Sequence, residues 1–187
     1  STRVTGYVSP KLKALVLRIE ADSTNLDLLT PYFEGIFSEL DARANGLVRL
    51  HGGFKTLDFE GGVRVKLDTK VDILNTYLQL HDDSVYIKHG EFALKNARLF
   101  DREGNPGRVT GALRHKHLKN LTYHFDIHGD NLLMYDTNDP GDMMFYGKVY
   151  GTGDVTLKGG NNAMDIDVNL TTGRNTTFTY VTGLTSE

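Results

Sequence analysis

The feature that most constrains this chain is a repeated alternation of apolar and polar side chains. In residues 57–68, 121–128 and 164–170, every second position is apolar or glycine, and the positions between are mostly charged, amide or hydroxyl residues. A period of two places one set of side chains on one face of a pleated strand. The sequence therefore predicts an all-β chain in which each strand has a single apolar face.

Glycine-rich segments predict the turns between these strands, at 52–53, 61–62, 101–107 and 159–162. Two segments interrupt the alternation. Residues 24–40 predict short helical or 3₁₀ turns, with their apolar side chains on one helical face: Leu29, Phe33, Ile36, Phe37 and Leu40. Residues 131–146 contain a weaker version of this helical pattern.

The chain also repeats itself at a nearly constant spacing. Val4-Thr5-Gly6 recurs as Val109-Thr110-Gly111, and residues 46–53 align with residues 153–160. Across all the matched segments, the offset stays between 105 and 107 residues. We therefore expect one β-rich domain, 1–187, cut from a longer repeat protein and holding two related units: about 4–108 and 109–187.

Composition excludes several classes of function. The formal net charge is only -3, which gives no electrostatic reason to expect nucleic acid or an anionic membrane surface as a partner. The absence of Cys excludes disulfides and thiolate metal sites. No apolar run approaches the roughly 18 residues of a membrane-spanning helix. Because the sequence also lacks a nucleophile elbow and a phosphate loop, we predict no enzymatic activity and no cofactor.

Four histidines, His115, His117, His124 and His128, form the sharpest metal candidate. Strand parity places His115 and His117 on the apolar face and the other two on the opposite face, which argues against a shared metal ion. Residues 101–105 faintly resemble a calcium loop. They lack its distal ligands and are interpreted as a turn.

The apolar face itself is therefore the candidate functional site. It is covered either by a second sheet, as in an ordinary sandwich with a structural or adhesive role, or by curling of the sheet around an apolar trough. A long acyl chain in such a trough would gain on the order of 10 kcal/mol. The alternation assigns this face to Val48, Leu50, Leu57, Phe59, Val63, Val65, Leu67, Leu121, Tyr123, Phe125, Ile127, Val155, Leu157, Met164, Ile166, Val168 and Leu170.

Three segments resemble a known family. Residues 46–63 run glycine, alternating strand, glycine pair, strand and glycine pair, which resembles the repeat of AsmA-like proteins. Residues 99–113 resemble a recurrent element of TamB, the translocation and assembly module subunit, and residues 25–46 resemble that family's helical link between strands. The repeat favours this elongating architecture over a closed sandwich.

The resemblance implies a curled, elongated antiparallel sheet, called a β-taco, with an apolar concave face and one or two short helical caps. It implies a periplasmic location in a diderm bacterium, within a parent protein anchored in the inner membrane. It further implies a role in outer-membrane protein assembly and phospholipid transport, with phospholipid or another acyl-chain lipid and an outer-membrane assembly factor as partners. The family offers no catalytic residues to transfer.

Overall fold

The computed structural model describes residues 1–27, 30, 37–117, 119–138, 145–160 and 163–181, without the side chain of Ile73. These residues form strands β1 (Thr2–Ser9), β2 (Ala14–Asn25), β3 (Phe37–Gly53), β4 (Thr56–Val71), β5 (Thr76–Lys88), β6 (Glu91–Asp101), β7 (Pro106–Lys116), β8 (Lys119–Thr137), β9 (Phe145–Gly160), β10 (Ala163–Thr172) and β11 (Thr177–Tyr180). A 3₁₀ turn covers Asp72–Leu74.

All eleven strands belong to one antiparallel sheet, in which β1 to β10 follow one another in sequence order and β11 pairs with β9 beyond the end of β10. The predicted all-β antiparallel fold is confirmed. No second sheet occurs among the described residues, so the apolar face of this sheet is not covered there by the second layer of a sandwich. Turns that follow odd-numbered strands lie at one end of the sheet, here called the lower end, and the others lie at the upper end.

Bulges bend the strands and curl the sheet. Three bulge residues have left-handed backbone conformations: Ser23 with φ 48°, Asn96 with φ 51° and Asn131 with φ 52°. Each donates its backbone N–H to a side chain of the following strand: Ser23 to Asn45 Oδ1 at 2.7 Å, Asn96 to Thr110 Oγ1 at 2.9 Å and Asn131 to Thr152 Oγ1 at 2.9 Å. The side-chain acceptor satisfies a backbone donor that the interrupted strand pairing leaves open.

The β3–β4 hairpin depends on a glycine at position 46. Gly46 has φ 148°, and a Cβ there would lie 2.5 Å from the Gly62 carbonyl oxygen and 2.8 Å from Val63 Cα. A side chain therefore fits neither the conformation nor the space. The turn predicted at Gly61-Gly62 is wrong, because both residues lie inside β4, where Gly61 pairs with Val48. Close approach of neighbouring backbone, rather than chain reversal, explains Gly61, because a Cβ there would lie 2.3 Å from the Leu47 carbonyl oxygen.

The predicted helical pattern at 131–146 is also wrong where the structure describes it. Residues 131–137 belong to β8 and residues 145–146 to β9, while 139–144 lie outside the described residues. The bulge between Gly129 and Leu132 shifts the phase of the alternation, which imitates a helical period. Of the helical face predicted in 24–40, Phe37 and Leu40 lie in β3, and the remaining members lie outside the described residues.

The densest packing lies on β5 to β8. Leu80, Ala97, Leu99, Val109 and Leu132 form a cluster in which every member is buried. Leu67, Leu94, Phe125 and Ile127 pack against its margin. The core thus lies on one face of the sheet, towards its upper end.

Candidate apolar groove

Strand register places every sequence-predicted site residue on the same face of the sheet. Phe125 pairs with Gly111 on one side and Leu157 on the other, and Leu157 pairs with Ile166. In the first half of the chain, Phe59 pairs with Leu50. This face, called the inner face, holds Val48, Leu50, Leu57, Phe59, Val63, Val65, Leu67, Leu121, Tyr123, Phe125, Ile127, Val155, Leu157, Met164, Ile166, Val168 and Leu170. A lipid-binding role for these residues remains a prediction.

The inner face is packed at its centre and open at its edges. Val65 and Val155 are buried, whereas most of the other predicted residues are half-buried. At the two edge strands, Val4 is 55% exposed and Val168 is 56% exposed. Phe178, which pairs with Gly147 in β9, is 57% exposed. The apolar face is thus least covered at its two edges.

Sequence reasoning missed the residues that pack most tightly on this face. Leu132 is fully buried, and its Cδ1 lies 2.8 Å and 2.7 Å from the points that Cβ atoms on Gly107 and Gly129 would occupy. Leu80 and Leu99, which belong to the same buried cluster, pair with each other across β5 and β6. The bulges interrupt the alternation in these strands. The sequence signal that could have indicated a buried side chain here is the pair Gly107 and Gly129, since glycines on a packed face leave room for a neighbouring side chain.

Two glycines of the inner face, Gly111 and Gly159, lie beneath aromatic side chains of β8. The ring of Tyr123 lies against Gly159, and Phe125 Cδ1 comes to 2.6 Å from the Cβ point of Gly111. Partial burial of the Tyr123 side chain raises the pKa of its hydroxyl group. Near Gly6 and Gly52 the nearest atoms belong to the backbone of the neighbouring strand, as they also do near Gly147 and Gly153.

Polar side chains join the strands where the sheet is interrupted at its upper end. The carboxylate of Asp101, which is 1% exposed, accepts hydrogen bonds from the backbone N–H groups of Glu103 at 2.8 Å, Asn105 at 2.9 Å and Leu133 at 2.8 Å. Because these donors satisfy the carboxylate, the turn interpretation of residues 101–105 is confirmed. Thr76 Oγ1 adds a bond to the Leu133 carbonyl oxygen at 2.7 Å.

His115 lies on the inner face and His124 and His128 lie on the outer face, as strand parity predicts, whereas His117 lies in the turn after the end of β7. The ring of His115 packs against Phe92 and Phe59, with centroids 4.9 Å and 6.4 Å away. On the outer face, His128 Nδ1 lies 2.7 Å from Asp154 Oδ1. Burial, followed by the charges of His117 and His89, lowers the pKa of His115. Within the described ranges, no three His, Asp or Glu side chains are grouped in a way that could hold a metal ion.

Comparison with known families agrees with this architecture. The family model of the TamB C-terminal domain matches residues 96–187. This match supports the assignment of the chain as a fragment of a TamB-family protein. No curated protein and no solved structure matches the chain.

The match covers β7 to β11 and the second half of β6, from residue 96 onward. TamB proteins form a non-enzymatic family of outer-membrane assembly and transport proteins in the periplasm of diderm bacteria, where a parent chain is anchored in the inner membrane. None of the helical segments in the described ranges is long and apolar enough to cross a bilayer. The TamB match and the curled sheet thus indicate a module of outer-membrane biogenesis.

Proposed function

We propose that this chain is a periplasmic module of a TamB protein that carries the acyl chains of phospholipid on its inner face. In this function the parent protein is anchored in the inner membrane and works with an outer-membrane assembly factor. The observation that carries the proposal is an apolar face that remains exposed at both edges of a single curled sheet. Water contact along that face is unfavourable until something apolar covers it.

The dimensions of the face suit an acyl chain. Strands in a sheet lie about 4.8 Å apart, so the ten sequential strands span roughly 43 Å across the sheet. One leaflet of a bilayer core is only about 15 Å deep, half of about 30 Å. Each buried methylene stabilises the complex by about 0.8 kcal/mol. Burial of its methylene groups is therefore enough to hold an acyl chain that lies across four or five strands, without any charged contact.

We also propose that the inner face is built from the two repeated units. Equivalent bulges support this idea: Ser23 and Asn131 are 108 residues apart, and their acceptors Asn45 and Thr152 are 107 apart. The strands on either side pair in the same order in both halves, β1 to β4 and β7 to β10. A unit that recurs with its bulge extends one continuous trough instead of closing a separate core.

Fatty-acid uptake tests the proposal. We expect the protein to bind a fluorescent long-chain fatty acid, and Phe59→Glu or Phe125→Glu to abolish that binding, because each places a carboxylate on the inner face. Val168→Glu makes the same change at an exposed position, where folding is least affected. Circular dichroism establishes that each variant is folded.

The matched control is Leu47→Glu. Leu47 lies on β3 beside Val48, is 38% exposed and points to the outer face, because alternate residues of a strand face opposite sides. Uptake in this variant should equal that of the unaltered protein. If the unaltered chain takes up no fatty acid, or if folded Val168→Glu and Phe59→Glu variants take up as much as Leu47→Glu, the acyl-chain function is wrong.

A further inference from the structure

The lysines of this chain gather at the lower end of the sheet. The described turns at that end, which join β1 to β2, β3 to β4, β5 to β6 and β7 to β8, each contain or directly adjoin a lysine. The six exposed members of this group are Lys11, Lys13, Lys55, Lys88, Lys116 and Lys119. The two described turns at the upper end, 72–75 and 102–105, contain no lysine.

These six ammonium groups are not neutralised by neighbouring acids. None of them forms an ion pair with another residue in the part of the chain that the structure describes. Of the acids nearest the β5–β6 turn, Glu91 is paired with Arg114, and Asp58, which contacts His89, is buried. At the upper end, by contrast, Lys148 lies between two carboxylates. The lower end therefore presents a positive field that the small net charge of the whole chain conceals.

Two of the lower turns meet in one patch that combines this charge with exposed apolar side chains. Leu12 stands between Lys11 and Lys13 and is 79% exposed, and Phe54 precedes Lys55 and is 47% exposed. The Phe54 N–H donates to the Lys13 carbonyl oxygen at 2.8 Å, which holds the two turns side by side. We call Lys11, Leu12, Lys13, Phe54 and Lys55 the basic tip.

We infer that the lower end of the sheet docks on a bilayer that contains anionic phospholipid, with the basic tip as its principal contact. The lysines complement phosphate groups at the bilayer surface, while Leu12 and Phe54 enter the boundary between head groups and acyl chains. A soluble acidic partner would satisfy the ammonium groups and leave both apolar side chains in water. The combination of charge and exposed apolar tips favours a membrane surface.

This docking surface goes beyond the carriage of acyl chains, since it lies at the strand ends and not on the inner face. The two proposals are connected only because docking at the lower end would bring the adjoining end of the inner face close to a lipid surface. A protein that binds vesicles without taking up fatty acid, or takes up fatty acid without binding vesicles, separates the two proposals.

Vesicle co-sedimentation tests the inference. We expect the protein to bind vesicles of phosphatidylcholine mixed with phosphatidylglycerol, and not vesicles of phosphatidylcholine alone. Lys11→Gln combined with Lys13→Gln should lower partitioning by about 25-fold, since each lysine near an anionic surface contributes about fivefold. Leu12→Ser should weaken binding to the same vesicles without changing its dependence on salt.

The control is Lys66→Gln combined with Lys70→Gln, which removes the same charge from the upper half of β4. This variant should partition like the unaltered protein, and raising the salt from about 0.15 M to 1 M should suppress binding by both. Equal binding to neutral and anionic vesicles, absence of binding to either, or an equal loss in the Lys66 and Lys70 control would each overturn the inference. All the altered side chains lie at the surface, so circular dichroism should report an unchanged fold.

Discussion

Replacing Leu132 with alanine should be among the most damaging single changes in the sheet. Leu132 is fully buried and lies above Gly107 and Gly129, which have no side chains that could move into the vacated space. Its strand is held on either side by the Asn131 N–H bond to Thr152 and the Leu133 N–H bond to Asp101. Buried Leu→Ala changes cost about 2.7–5.0 kcal/mol, and a site that cannot collapse lies near the upper limit. We expect a loss of about 4 kcal/mol in the free energy of unfolding.

Urea denaturation followed by far-ultraviolet circular dichroism measures this loss. The midpoint should fall while the slope with urea stays constant, because the amount of surface exposed on unfolding hardly changes. Val168→Ala is the matched control: it truncates an apolar side chain of the same face that is 56% exposed, and it should cost less than about 0.5 kcal/mol. A Leu132→Ala loss below about 1 kcal/mol would show that the cluster on β5 to β8 is not packed as described.

Two further changes test the backbone and the buried histidine. Gly46→Ala should cost at least about 2 kcal/mol of unfolding free energy, because Gly46 has a positive φ and a Cβ there would collide with Gly62. Gly62→Ala should change stability by less than about 0.5 kcal/mol, because the nearest neighbour of its Cβ would lie 3.7 Å away. Comparable losses for the two variants in urea denaturation would refute the steric argument. Burial lowers the pKa of His115 in the folded protein. The contribution of the neutral His115 side chain to stability is therefore complete above the unfolded-state pKa of about 6.5, and it declines as the pH falls towards the lower folded-state pKa. His115→Phe should therefore remove part of the acid sensitivity seen in denaturation curves at pH values below about 6.5, and an unchanged pH profile would contradict this assignment.

Much of the fold follows from the alternation alone, since a period of two fixes both the strand type and the face of each side chain. That is why residues such as Phe59 and Phe125 fall on one face although they are far apart in sequence. The bulges could not be predicted in the same way. A left-handed residue such as Asn131 flips the phase of its strand, and its acceptor, Thr152, comes from the next strand along the chain. Local patterning therefore mistook part of β8 for a helix and overlooked Leu132.

The position of charge in this molecule is set by topology more than by composition. In a sheet whose strands follow one another in order, every second turn lies at the same end, so a preference for lysine in alternate turns accumulates there. Acids elsewhere in the chain offset those lysines in the total, because Asp and Glu number 24 against 21 Lys and Arg. In physiological salt, exposed charges more than about 8 Å apart are largely screened from one another, so the lysines at one end act locally. A partner at the lower end therefore meets a positive surface that the net charge of -3 does not reveal.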